Sequence, residues 1–401
     1  MPLRRKLAWI ALLYFAEGFP FGIVNDNLPV YFRVHGVALR TIGLMQGLLG
    51  LPWTWKVLWA PLVDRAGHSR RWIVGALLTM GVLTAALPAL DPAVPAVALW
   101  ALLLCLTIVS ATQDIAIDAY SIGLLERGEE GVANGVRVSA YRAALIVGGG
   151  GLVALADYAG WGVVFASAAL MFLALGAAAS QAPVIAVESA KPPPWLPTFR
   201  AWLARPGAVG VFLFVLTYKL GDASMGPMVK PFWIDRGLTV TEIGLVSTTL
   251  GVALSILGAL CGGAFTSRFG VFRGLWVLGL AQAFSNLGYA AAAATGAGRV
   301  GIYAASAVES FSGGLGTAAF LAFLMRACQK EQAATQYALL SALFNLTRTL
   351  ANMASGFGAE RFGYAVFFAF TFALSFPAYL LLPWVRVWAE GTVDRSQSAP
   401  V

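Results

Sequence analysis

The amino-acid sequence predicts an all-α integral membrane protein, and three observations support this fold class. Of its 401 residues, 59% are hydrophobic and only 11% are charged. Apolar blocks long enough to cross a bilayer as helices recur from one end of the chain to the other. The basic residues concentrate in alternate connecting loops, as expected for a multi-pass protein. The net charge of +8 therefore indicates membrane topology and not binding to nucleic acid.

Twelve membrane-spanning helices are predicted from the apolar blocks, because a span needs about 20 residues. The predicted spans cover residues 7–32, 41–63, 72–90, 94–124, 132–156, 161–181, 208–233, 242–265, 272–295, 300–325, 332–358 and 364–387. Three basic residues precede the first span as in a signal peptide, but the apolar segment is too long for one. We therefore expect an uncleaved first helix.

The positive-inside rule assigns the topology of the predicted spans. With the amino terminus in the cytoplasm, the sixteen cytoplasmic Lys and Arg residues are Arg4, Arg5, Lys6, Arg65, Arg70, Arg71, Arg127, Lys191, Arg200, Arg205, Arg268, Arg273, Arg326, Lys330, Arg386 and Arg395. The opposite side then carries five, namely Arg33, Arg40, Arg236, Arg299 and Arg361. This imbalance predicts that both termini are cytoplasmic.

An internal repeat divides the chain into two six-helix bundles. Residues 182–206 contain Pro192, Pro193, Pro194 and Pro197 and are predicted to be a cytoplasmic linker between residues 1–181 and 207–401. Landmarks recur across this linker, as when Gly36, Ile42 and Gly43 correspond to Gly237, Ile243 and Gly244. Shared apolar composition is the alternative explanation. Because each half has an even number of spans, the copies share one orientation, and this is the arrangement of major facilitator transporters.

The loop after the second predicted span resembles the conserved loop of that superfamily. Residues 56–71 read KVLWAPLVDRAGHSRR and hold an Asp-Arg-x-Gly core. Where the family pattern usually begins with Gly this chain has Ala60, and basic residues follow only at Arg70 and Arg71. The resemblance implies a conformational latch between helix ends, made by Asp64, Arg65, Gly67, Arg70 and Arg71.

Three segments, the first of them inside this loop, resemble the AmpG-type muropeptide permeases. They are LWAPLVDR at residues 58–65, ATQDIAIDAY at 111–120 and SAYRAALIVGGGG at 139–151. The resemblance implies import of an anhydro-muramyl disaccharide, with or without its peptide, across a bacterial inner membrane. It also implies a proton gradient as the energy source, with no cofactor. Acetyl-coenzyme A transporters look similar in the same motifs, so another anionic solute such as an acyl-coenzyme A is the alternative substrate.

Six acidic and six basic residues fall inside the predicted spans. The acids are Glu17, Asp26, Asp114, Asp118, Asp222 and Glu309, and the bases are Lys56, Arg137, Arg142, Lys219, Lys230 and Arg348. A charge at the bilayer centre costs about 2.5 to 3.5 kcal/mol on insertion scales, so these residues must pair or line a polar cavity. Any one of them could instead be a permanent ion pair that fixes helix register.

Proton coupling is assigned to Asp114, Asp118 and Glu17. Asp114 and Asp118 are four residues apart, so they share a helix face and repel when both are ionised. Matching depths predict the ion pairs Asp118 with Arg137 and Asp114 with Arg142. Glu17 should reach the same depth, where Lys219 and Asp222 are expected to approach from the seventh span.

The remaining charges and nearby aromatic rings are assigned to solute binding. Arg142, Lys219 and Arg348 are candidates for binding a carboxylate of an anionic or zwitterionic solute. Tyr14 and Trp53 are candidates for stacking on a sugar ring. The set is completed by the polar residues Gln113, Asp222 and Glu309, of which Glu309 is predicted to pair with Arg348.

Other functional classes find little support in the sequence. His35 and His68 have no other His, Cys or carboxylate at the spacing of a metal site, and the sequence shows no Ser-His-Asp set. The Gly148–Gly151 run lies inside an apolar helix, where glycine favours close helix packing over phosphate binding. A membrane transferase and a non-transporting sensor are the alternatives from other classes. We expect a monomeric transporter in contact with membrane lipid, not an enzyme.

Overall fold

The computed structural model describes residues 1–66, 69–94, 96–126, 129–185, 200, 202–328 and 333–390. Within these residues every regular element is helical. The α-helices are α1 Leu3–Gly22, α2 Leu28–Val34, α3 Leu39–Trp55, α4 Ala60–Ala66, α5 Ser69–Ala86, α6 Val97–Leu124, α7 Glu130–Leu145, α8 Leu152–Ala179, α9 Ala208–Tyr218, α10 Leu220–Asp235, α11 Val240–Glu242, α12 Gly251–Phe269, α13 Val271–Thr295, α14 Arg299–Arg326, α15 Ala333–Ala373 and α16 Phe376–Glu390. The predicted all-α class is confirmed.

Eight helical stretches of the described chain are long and apolar enough to cross a membrane. They are Leu3–Val34, Ser69–Ala89, Val97–Leu124, Val132–Ala179, Ala208–Asp235, Val240–Phe269, Arg299–Arg326 and Leu339–Glu390. Two of them contain a non-helical glycine with positive φ, Gly160 at +75° and Gly363 at +72°. A left-handed residue reverses or bends a helix, and glycine adopts it without steric strain.

The contacts of the chain define two compact units. Unit 1 comprises Met1–Ala190 and Pro227–Val252, and unit 2 comprises Lys191–Gly226 and Ala253–Val401. The first unit therefore includes a segment that the sequence repeat assigns to the second half. The domain boundaries at residues 181 and 207 stay a prediction from the repeat and the proline-rich linker.

Glycine residues bring backbones into contact inside unit 1. The π-helix Ile146–Gly151 packs against the π-helix Ile243–Leu250, where a Cβ atom on Gly150 would lie 2.8 Å from the carbonyl oxygen of Gly244. A Cβ atom on Gly148 would lie 2.9 Å from the carbonyl oxygen of Phe19. Real side chains do not tolerate such separations, so the glycine run is a packing surface, as predicted.

Aromatic side chains fill much of the core of unit 2. Tyr218 stacks on Phe320 with ring centroids 5.3 Å apart, and Phe214 meets Phe323 edge to face at 5.0 Å. Phe214, Phe320 and Phe323 are fully buried. Edge and stacked contacts of this kind fix the side chains of neighbouring helices in one arrangement.

Interruptions of helical geometry contain two charged residues of unit 1, Lys56 and Asp26. Proline at position 52 cannot donate a helical hydrogen bond, and the helix α3 ends three residues later in a 3₁₀ turn, Lys56–Leu58. The π-helix Ile23–Asn27 separates α1 from α2, and a second one separates α7 from α8. Such irregularities free backbone groups and turn side chains away from the regular helix face.

Candidate functional site

Charged side chains from four elements meet inside unit 1. Tyr14 and Glu17 come from α1, Lys56 from the 3₁₀ turn after α3, Asp114 and Asp118 from α6, and Arg137 from α7. Glu17 interacts electrostatically with both aspartates and with both bases. We call these six residues the acid cluster. The structure thus brings together all three carboxylates that the sequence assigns to proton coupling.

Asp118 accepts a hydrogen bond and forms an ion pair within the acid cluster. The Tyr14 hydroxyl donates to Asp118 Oδ1 at 2.8 Å, and Arg137 Nη2 lies 3.3 Å from the same oxygen. The Arg137 guanidinium also lies 4.4 Å from the centroid of the Tyr14 ring. The predicted pair of Asp118 and Arg137 is confirmed. Asp118 thus links a residue of α1 to a residue of α7.

Asp114 pairs with a different base from the one predicted. Lys56 Nζ lies 3.4 Å from Asp114 Oδ2, and Arg142 makes no ion pair with any described residue. The predicted pairing with Arg142 was wrong because matching depth does not ensure matching faces. Residues 137 and 142 are five positions apart, a rotation of about 140° on an α-helix, so only one of them can face α6.

Three buried oxygen atoms near the acid cluster have no hydrogen-bond partner among the described residues. They are Glu17 Oε2, Asp114 Oδ1 and the side-chain oxygen of Gln113. The amide nitrogen of Gln113 lies 3.5 Å from the carbonyl oxygen of Ala16, next to Glu17 in the chain. A buried acceptor without a donor costs about 1–3 kcal/mol, so this region favours a proton or another donor.

The two aromatic residues predicted to stack on a sugar differ in their surroundings. Tyr14 is 2% exposed, with Arg137 over its ring and its hydroxyl on Asp118, and its stacking on a sugar stays a prediction. Trp53 is partly exposed and meets Phe21 edge to face at 5.4 Å, and Phe21 in turn lies 6.1 Å from Tyr141. Arg142, which follows Tyr141, is partly exposed.

A second polar cluster lies within unit 2 and centres on Lys219. Lys219 separates α9 from α10 and is 3% exposed, and its ammonium group lies 2.9 Å from Gln282 Oε1 and 3.3 Å from Asp222 Oδ2. Asn286 lies four residues after Gln282, and its side-chain amide donates to the Thr371 hydroxyl at 3.2 Å. Lys219 and Asp222 are in contact, and their predicted approach to Glu17 stays a prediction.

Sequence reasoning missed Gln282 and Asn286. The available signal was their spacing, since two amides four residues apart in the apolar segment of α13 share one helix face.

Glu309 accepts a hydrogen bond at 3.3 Å from the hydroxyl of Ser310. The pairing of Glu309 with Arg348 and their solute-binding roles stay predictions.

Three further contacts join the two chain segments of unit 1, Met1–Ala190 and Pro227–Val252. Sequence reasoning also missed these contacts. Lys230 pairs with Asp26, and both side chains are 16% exposed. Arg33 binds Asp235 through two hydrogen bonds of 2.6 Å. The backbone amide of Thr241 donates to Asp157 Oδ2 at 2.6 Å. These contacts hold residues 227–252 against the amino-terminal helices.

The predicted latch residues are only partly described by the structure. Arg70 donates to the carbonyl oxygen of Ala182 at 2.8 Å, which joins the start of α5 to the segment after α8. Arg71 is exposed at the same end of α5. The side chains of Asp64 and Arg65, and all of Gly67, lie outside the described residues. The latch therefore stays a prediction.

Comparison with known proteins identifies the family. The chain is 33% identical over 398 residues to the anhydromuropeptide permease of Escherichia coli strain K12, covering 96% of this chain and 81% of that protein. The chain belongs to the AmpG-type anhydromuropeptide permeases. It is also 27% identical over 405 residues to the putative transporter AmpG 4 of Rickettsia conorii, covering 95% and 96% of the two chains. The family described as "Acetyl-coenzyme A transporter 1" matches residues 6–142.

Solved structures with the same fold are transporters. The nucleoside transporter NupG superimposes with a TM-score of 0.74 at 15% identity, covering 95% of this chain and 99% of that one. A D-xylose-proton symporter gives 0.72 at 13% identity, covering 96% and 99%. The AmpG-type chain thus has the major facilitator fold. It is a multi-pass membrane transporter of a small-molecule solute and not an enzyme, as its named relatives are permeases and transporters.

The Asp26–Lys230 pair provides a test of the contacts in unit 1. Lys230→Ala leaves Asp26, whose side chain is 16% exposed, without its cation, and we expect the free energy of unfolding to fall by about 3 kcal/mol. The double variant Asp26→Asn with Lys230→Gln should recover most of this loss. As a control, Arg386→Ala breaks an exposed helical pair with Glu390 and should cost less than about 1 kcal/mol. Equal losses in both single variants, measured by unfolding in detergent, would contradict the assignment.

Proposed function

We propose that this AmpG-type chain is a proton-coupled transporter that imports anhydro-muropeptides across a bacterial inner membrane. The solute is GlcNAc-anhydroMurNAc, with or without its peptide. The name of the E. coli relative supports this substrate, because the similarity extends over 96% of the chain. A proton gradient supplies the energy, and no cofactor takes part.

The observation that carries the proton coupling is the pair of unpartnered carboxylate oxygens on Glu17 and Asp114. Asp118 already has two partners, the Tyr14 hydroxyl and the Arg137 guanidinium. Glu17 Oε2 and Asp114 Oδ1 have no hydrogen-bond partner among the described residues, and Asp114 Oδ2 lies 3.4 Å from Lys56 Nζ. We therefore assign the transported proton to Glu17 and Asp114, and we assign Asp118 the role of positioning Arg137.

Solute recognition is assigned to basic and aromatic side chains outside the acid cluster. Arg142 is partly exposed and makes no ion pair with a described residue, so its guanidinium is available to bind a carboxylate in the fork geometry that such groups favour. Lys219 and Arg348 are the other proposed anion-binding residues. Trp53 is the proposed stacking partner for a sugar ring.

An acyl-coenzyme A is the second candidate solute. The match of residues 6–142 to the acetyl-coenzyme A transporter family supports it, since those residues contain Glu17, Asp114 and Arg142. Both solutes are anionic and would suit the same basic groups. The anhydro-muropeptide is preferred because the similarity to the permease covers nearly the whole chain, whereas the other match covers about a third of it.

We propose a topology of twelve spans with both termini in the cytoplasm. Gly160 and Gly363 divide two of the eight long helical stretches, and the helices Leu39–Trp55 and Val271–Thr295 supply two more spans. The excess of Lys and Arg in the loops on one side supports the orientation. Transport then follows alternating access, in which a monomer opens its solute site to each side in turn.

Uptake into proteoliposomes tests the proposed substrate. Purified protein should accumulate labelled GlcNAc-anhydroMurNAc when a proton gradient is directed inward, and unlabelled solute should compete. Acetyl-coenzyme A should compete weakly or not at all. Accumulation of acetyl-coenzyme A with no uptake of the disaccharide would favour the second candidate, while uptake that ignores the gradient would contradict proton coupling.

Neutral substitutions test which carboxylates carry the proton. A gradient of about one pH unit supplies about 1.4 kcal/mol per proton and supports about tenfold accumulation. Glu17→Gln and Asp114→Asn should abolish this accumulation and retain exchange of solute between the two sides. Asp118→Asn should instead impair both, because the Arg137 guanidinium loses the negative charge of its partner. Coupled accumulation by the Glu17 and Asp114 variants would refute the assignment.

Thiol labelling tests the topology. In a background without the three native cysteines, His35→Cys introduces a thiol into the exposed turn after α2. A membrane-impermeant maleimide should label it in intact cells.

In a second variant that retains only Cys328, labelling should require permeabilised cells. Burial raises the pKa of the Cys328 thiol to about 11, so its labelling should accelerate as pH rises toward that value. Labelling of Cys328 in intact cells would reverse the proposed orientation.

A further inference from the structure

A groove of about 400 Å³ lies on unit 1 between α5 and α6, apart from the acid cluster. It is lined by Arg71, Trp72, Gly75, Ala76, Thr79, Val109 and Thr112. Arg71, Trp72, Gly75 and Thr79 are exposed and lie on one face of α5. From Arg71 to Thr79 this face is about 12 Å long, at about 1.5 Å per residue. None of the residues assigned to proton or solute binding lines the groove.

The inner part of the groove is open and offers little to a polar ligand. No atom lies within 4 Å of the position that a Cβ on Gly75 would occupy. The hydroxyl of Thr79 donates to the carbonyl oxygen of Gly75 at 2.8 Å, and that of Thr112 donates to Ile108 at 2.8 Å. With these hydroxyls satisfied by their own helices, the walls present mainly methyl and methylene groups. An acyl chain suits such walls.

The mouth of the groove carries a cation and an amphipathic ring. Arg71 makes no hydrogen bond or ion pair with any described residue, whereas its neighbour Arg70 donates to Ala182. Trp72 is 38% exposed beside it. Tryptophan is enriched where the hydrocarbon of a bilayer meets its polar headgroups, and arginine binds phosphate through parallel hydrogen bonds. The mouth of the groove thus suits the phosphate headgroup of a phospholipid, and its apolar inner part suits an acyl chain.

We propose that this groove binds an anionic phospholipid of the cytoplasmic leaflet. Its phosphodiester would lie on the Arg71 guanidinium, and one acyl chain would follow the face from Gly75 to Thr79. The side of the membrane rests on the proposed topology, whereas the lipid site itself does not depend on the transported solute. A negatively charged headgroup is favoured over a zwitterionic one because the described residues lining the mouth contain a base and no acid.

Lipid retention by the full-length protein tests this site. The protein is purified in detergent, supplied with dioleoylphosphatidylglycerol or dioleoylphosphatidylcholine, and examined by native mass spectrometry. Arg71→Gln removes the cation, and Gly75→Leu fills the open part of the groove with the cation retained. Arg5→Gln is the matched control, because it removes one exposed charge from the amino terminus, outside the groove. Melting temperatures verify that each variant is folded.

We expect the wild-type protein to retain phosphatidylglycerol in preference to phosphatidylcholine. Both groove variants should lower the affinity for phosphatidylglycerol about fivefold, and Arg5→Gln should leave it unchanged. Equal loss in the Arg5 variant, or no loss in the Arg71 variant, would overturn the proposal. Displacement by soluble glycerol phosphate would show an anion site and not a lipid site. Because the readout is lipid binding, failure here would leave the transport assays unaffected, and the converse also holds.

Discussion

The energetic penalty for burying carboxylates in an apolar helical protein governs the arrangement of this transporter. Glu17, Asp114 and Asp118 lie in helices whose neighbouring residues are almost all apolar. Each carboxylate therefore needs a cation, a hydrogen-bond donor or a proton. The three carboxylates meet this need differently. Asp118 has two donors and Asp114 has one ammonium group at 3.4 Å, whereas Glu17 Oε2 has no donor among the described residues. The difference in compensation is the basis for assigning different roles to chemically similar groups.

Breaks in regular helix geometry are what deliver the compensating groups. Lys56 reaches Asp114 from a 3₁₀ turn that follows a proline, and Lys219 reaches Gln282 from the junction of two helices. Asp26 meets Lys230 from a π-helix. A regular helix fixes the direction of every side chain, whereas an irregular turn can redirect one of them without disturbing the rest. The polar residues and the irregular turns therefore belong to one arrangement.

Small residues allow the helices to approach closely enough for these contacts to form. Gly150 and Gly244 bring two π-helices together within unit 1, and Gly314 meets the backbone of Ser255 within unit 2. Where a glycine faces no neighbour, as at Gly75, the same absence of a side chain leaves a groove. A glycine in a membrane helix thus contributes either contact or space, depending on what packs against it.

The sequence by itself determined the helical membrane fold, the glycine packing surface and the pair of Asp118 with Arg137. The first two features depend on composition and on spacing along single helices, and the pair depends on the matching depths of its two residues in neighbouring spans. Only the tertiary structure decided that Asp114 faces Lys56 and not Arg142, that Tyr14 is buried, and that Lys230 pairs with Asp26. Such partners depend on the rotation of each helix about its axis and on local breaks, and packing against neighbouring helices sets both.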